Sequence, residues 1–143
     1  MRLTSQRLAE LKQPGAQYII RCPGSSRDVN GLRICEAGFF SHYLRVLFGI
    51  RLAVVYDVPY GIDFGYVPHV YRDTEAFPQE LNFWIYYFQP PTGGVIDPSR
   101  RVLSRGYETH PVRNCNRRFQ EEMNRLVQQH ILLRPQVEKT VMY

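Results

Sequence analysis

The sequence predicts an α+β domain, a small antiparallel sheet with a C-terminal helix packed on one face. Three observations predict it. The 143 residues include ten Tyr and eight Phe, an aromatic content that favours strands. Short apolar runs alternate with clusters of Gly, Pro, Ser and Asn, which is turn chemistry. Near the C-terminus a longer segment changes its apolar spacing to that of a helix. The length suits a single domain, residues 1–143, and no linker or repeat divides it.

The elements follow in order. Residues 2–12, RLTSQRLAELK, read as a short amphipathic helix carrying Leu3, Leu8 and Leu11, stopped by Pro14-Gly15. Gln17 to Arg21 is a short strand. CPGSSRDVNG is loop, ending in the turn pair Asn30-Gly31. Leu32 to Ile34 and Phe39 to Leu47 read as strand, with Gly49 as a turn and Arg51 to Asp57 returning as a second strand of a central hairpin. PYGIDFGYVP is loop or edge strand. LNFWIYYFQ, residues 81–89, is the clearest strand in the chain. PPTGG and DPSR bracket a second hairpin or a long loop, and Arg101 to Tyr107 is a further strand candidate. A helix then starts at Asn114 or Cys115: Phe119, Met123, Leu126, Val127 and His130 fall on one helical face, and Pro135 ends it. Residues 136–143 are either a last strand or a flexible tail.

Composition narrows the function. No apolar run approaches the roughly 18 residues of a membrane span, and Met1 leads into a polar stretch unlike a signal peptide. The three cysteines, Cys22, Cys35 and Cys115, are odd in number and lack CxxC or Cys/His spacing. That argues against a disulfide framework and a zinc site and for a reducing, cytoplasmic setting, with a single Cys22–Cys35 bridge as the alternative. Asp57, Asp63, Asp73 and Glu75 are scattered, without metal-loop spacing. PPTGGVIDP lacks the ending of a phosphate loop, so no cofactor is expected. The net charge is +5, and 16 of the 18 basic residues are Arg, whose guanidinium forks onto phosphate. Arg100, Arg101, Arg105, Arg113, Arg117 and Arg118 cluster near Tyr107, a pattern suited to single-stranded RNA as well as to an ordinary solvated rim.

PVRNCNRRF places Cys115 behind Asn114, a good N-cap, and among Arg113, Arg117 and Arg118. A helix N-terminus and nearby arginines stabilise a thiolate. A nucleophilic Cys needs a base. His130 lies about four turns down the same helix, out of reach, and His110 is local. His42, opening SHYLRVLFGIRLAVVYD, is the best candidate, and His69 the next. The other reading makes Cys115 a small buried hydrophobe and His42 a satisfied histidine at a strand end.

HYLRVLFGIRLAVVY resembles the H-box, and YETHPVRNCNRRFQEEM the NC box, of the lecithin:retinol acyltransferase-like branch of the NlpC/P60 papain-like superfamily. The pair is similar in particular to the picornavirus 2A proteins of the non-protease type. The resemblance implies a papain-like topology, Cys115 as nucleophile and His42 as general base in thioester chemistry. It departs from the pattern in three places. The second polar partner is replaced by Ala53-Val54-Val55-Tyr56, the aromatic after the Cys falls late at Phe119, and Asn116 follows the Cys. The orienting third group would be Tyr56 or His69, or missing, and without it acyl chemistry is slow or absent. The resemblance thus implies a viral protein acting in genome replication or host-factor interaction, with viral or host proteins as partners. The alternative is a basic structural or RNA-binding module without catalysis, such as a virion or phage component, with Arg113, Arg117 and Arg118 on RNA.

Overall fold

The computed structural model describes residues 3–22, 28–29, 32–33, 38–65, 71–89, 98–109 and 116–134. Helix α1 is Ser5–Leu11, capped by Thr4, whose side chain accepts from Arg7 N. Strand β1, Gln17–Ile20, follows the turn at Gly15, whose φ of 75° suits glycine. Asp28–Val29 (β2) and Leu32–Arg33 (β3) pair antiparallel. The turn pair Asn30-Gly31 lies between them, outside the described residues. Helix α2 is Phe39–Val55 and strand β4 is Tyr60–Ile62. A single helical turn, α3, covers Trp84–Tyr87. Strand β5, Arg101–Leu103, lies between two 3-10 turns, and α4 is Arg117–His130. No described helix is long and apolar enough to cross a membrane.

The domain mixes helices with a small sheet, as expected, but the sheet is parallel where an antiparallel one was predicted. Its order is β4-β1-β5, with Tyr18 beside Tyr60 on one side and beside Val102 on the other. The cause is α2. By sequence alone its residues suggest two strands joined at Gly49, and a hairpin implies antiparallel pairing. They form one helix of 17 residues. A helix between β1 and β4 is the crossover that parallel neighbours require. The segment is mostly apolar without strict alternation, and its length favours a helix. Within it His42, Val46, Gly49, Ile50 and Ala53 are buried at helical spacing. Gly49 is a point of contact rather than a turn: a Cβ there would lie 2.5 Å from Ile20 Cγ1 on β1.

LNFWIYYFQ is likewise not a strand. The Asn82 carboxamide accepts from Trp84 N (3.3 Å) and Phe64 N (3.0 Å) and donates to Ile62 O (2.7 Å). That local turn bends the chain into α3. Trp84 and Phe88 then stack one helical turn apart, ring centres 4.1 Å apart. Only Phe88 makes a bridge, to Leu133.

Helix α4 keeps the stripe the sequence showed. Met123 and Leu126 are buried, and Phe119 and Val127 pack against the core. It lies against α2 through stacked Phe48 and Phe119 rings (5.8 Å) and an Arg51–Glu122 ion pair (2.9 Å). Its cap is Asn116, accepting from Phe119 N at 2.8 Å, two residues later than Asn114. The segments 90–97 and 135–143, with their hairpin and tail alternatives, lie outside the described residues.

Gly49→Ala is expected to destabilise the domain. Overpacking costs about 1–3 kcal/mol, against roughly 1 kcal/mol gained in helix propensity. Thermal denaturation of the variant should show a lower midpoint, and Gly49→Leu a collapse of cooperative unfolding.

Candidate functional site

Of the residues expected to act together, the structure describes His42 and Tyr56 and holds them apart. His42 stands on α2, not on a strand, and is fully buried. Its ring centre is 5.0 Å from Phe64, 5.4 Å from Phe83 and 6.1 Å from Tyr71. Tyr56 is the C-cap of the same helix, and its hydroxyl accepts from Leu3 N at 3.1 Å. Fourteen residues of helix put it about 21 Å along the axis from His42, so Tyr56 does not orient that imidazole. Cys115, Arg113, His69 and His110 lie outside the described residues. Arg117 and Arg118 are exposed in the first turn of α4, and Arg117 pairs with Glu121 at 3.4 Å.

A different set of arginines is brought together from distant parts of the chain. Arg7 is buried on the inner face of α1, where an amphipathic reading would place a leucine. Its Nε and Nη2 donate to the two carboxylate oxygens of buried Glu108, at 2.7 and 3.0 Å. Nη2 also donates to Leu103 O on β5 (2.7 Å), and Nη1 to Glu10 (2.9 Å). Glu108 further accepts from the Tyr18 hydroxyl (3.1 Å) and from Arg105 N (2.9 Å). Burial by itself would raise the Glu108 pKa. The hydrogen bonds and charge of Arg7 outweigh it, and the carboxyl is held below its ordinary value. Burial and the Glu108 charge push the Tyr18 phenol up.

Between α1 and β5 this network leaves a groove of about 630 Å³, lined by Arg7 and Glu10 on one wall and by Arg21, Arg101 and Arg105 on the other. Arg21 follows the last residue of β1, where its backbone N donates to Ser104 Oγ at 3.1 Å. Arg21 Nε is buried and has no hydrogen-bond partner among the described residues. Arg101 lies 3.7 Å from Asp63. Arg101 and Arg105 belong to the basic run seen in the sequence. Arg7 and Arg21 do not, and the only local hint is an arginine at an inward position of α1 and another at a strand end. Among the described residues no group of three or more His, Cys, Asp or Glu could hold a metal ion.

No family model, no curated protein and no solved structure matches this chain. The groove therefore has to be understood from its own chemistry. It is an open, arginine-rich surface that runs along edge strand β5 and reaches the carboxyl ends of β1 and β5 at Arg21 and Arg105. Beside it, Cys22 is buried and disulfide-bonded, which corrects the expectation of reduced cysteines. An odd count requires one leftover thiol; it does not forbid one bridge.

Two outcomes follow. Intact mass after alkylation should show two more labelled cysteines with prior reduction than without it. Glu108→Gln should cost about 3 kcal/mol in urea unfolding at neutral pH, because buried Arg7 loses its buried counter-charge and keeps only the half-exposed Glu10. The Glu108 pKa is depressed on folding, so its contribution is present above the unfolded carboxyl range, about 4.3. It is lost as pH falls through the lower folded value, and the gap between wild type and variant should close there.

Proposed function

We propose that this protein is a basic, non-catalytic module that binds single-stranded RNA, with the groove between α1 and β5 as its phosphate track. The observation that carries the reading is that Arg21, Arg101 and Arg105, at two neighbouring strands, line one open groove. A phosphate oxygen entering such a groove gains charge-assisted bonds from the guanidinium groups that line it. Exposed Tyr107 lies two residues beyond Arg105 and offers a face for base stacking. The net charge of +5 supplies long-range attraction.

The H-box/NC reading, a papain-like viral 2A-type protein with a Cys115–His42 pair in genome replication, expected His42 at the head of a strand, with Tyr56 or His69 as the orienting third group, or none. His42 lies in α2 with Tyr56 at its far end. We therefore place function on the arginines.

Fluorescence anisotropy with labelled oligouridylate tests the proposal. Affinity should fall linearly with salt on a log–log plot, with a slope of about −0.7 per phosphate neutralised. Arg21→Ala with Arg105→Ala should flatten that slope by more than Arg117→Ala with Arg118→Ala. Binding that ignores salt, or is lost only through the α4 arginines, would remove the groove from the mechanism.

A further inference from the structure

The groove already holds an anion of the protein's own. Glu10 Oε2 lies 2.9 Å from Arg7 Nη1 and 3.8 Å from Arg105 Nη2. A second depression of about 450 Å³ adjoins the first and is lined by Arg100 and Arg101, and Glu10 and Arg101 belong to both walls. Glu10 therefore stands where two arginine-lined depressions meet.

Resting on the RNA reading, we propose that the Glu10 carboxylate is a built-in competitor seated where an RNA backbone phosphate binds, and that binding displaces it from Arg105. Arg7 does not depend on Glu10, because its bidentate pair with Glu108 and its bond to Leu103 O remain. The contact with Arg105 is the weak one. Both side chains are about half exposed, and such pairs contribute little. A phosphate oxygen accepts from a guanidinium fork as well as a carboxylate does, and Arg21 lines the same groove. Carboxylate and phosphate cannot share the position, because like charges at that distance repel. Glu10 thus sets the affinity of the groove and excludes weakly held anions from it.

The test uses two probes, labelled oligouridylate by anisotropy and inorganic pyrophosphate by NMR of the arginine Nε–H signals. Glu10→Gln should tighten both about two- to tenfold at low salt, with the gain fading as salt is added. Glu121→Gln makes the same change in net charge on α4 and should shift affinity less than twofold. Pyrophosphate should move the Arg105 signal in wild type. Circular dichroism and melting confirm that each variant is folded, and Glu10→Ala gives a second reading of the same charge loss. If Glu10→Gln binds no tighter than wild type, or gains no more than Glu121→Gln, the competitor seat is wrong. Oligouridylate binding without a Glu10 effect removes the seat and leaves the RNA reading. Pyrophosphate tightening without any oligouridylate binding does the reverse. If neither probe binds any variant, both fall.

Discussion

The buried ion pair between Arg7 and Glu108 is the contact on which the site depends. Helix α1 has seven residues, too few to persist alone in water. Leu11 seats it in the core, and one guanidinium ties it to the 3-10 turn after β5 and to the carbonyl of Leu103. The Tyr18 hydroxyl joins β1 to the same carboxylate. Burying two charges is costly unless both are satisfied, and here each has several partners. The pair adds a directional contact to the apolar seat of α1. The groove is the space left between the helix so placed and the edge strand.

The parallel sheet gives that groove its chemistry. Helix α2 crosses from β1 to β4 and packs against Ile20 at Gly49, so β1 is the central strand. Parallel strands deliver their carboxyl ends to one side of the sheet. Arg21 leaves β1 there, and Ser104 and Arg105 leave β5 there. Ser104 Oγ also accepts from Arg21 N, which holds the two strand ends together and aligns their arginines. An antiparallel pairing would have sent Arg105 to the opposite end from Arg21.

Legibility in the sequence followed the range of the forces involved. The α4 stripe from Phe119 to His130 was readable because its period is local and its opposite face is charged. Strand β1 was readable because QYII is short, apolar and bounded by turns. Helix α2 was not, because an apolar run long enough to be buried on several sides shows neither period cleanly, and Gly49 has one spelling for two uses. LNFWIYYFQ has strand composition, yet the Asn82 side chain bends the backbone into a helical turn. The Asn116 cap was ambiguous for a simpler reason: Asn114, two residues earlier, can cap as well.

The sequence by itself determined a basic, arginine-dominated chain with an amphipathic helix near its C-terminus, because charge and local periodicity need no partner to be read. It also marked Arg101 and Arg105 as members of a basic run. Only the tertiary structure decided that the sheet is parallel, that His42 is packed among aromatic rings away from Tyr56, and that Arg7 and Arg21 join Arg105. Glu108 lies 101 residues from Arg7 and Ser104 lies 83 from Arg21. Contacts at that separation follow from how the helices pack on the sheet, which no local pattern records.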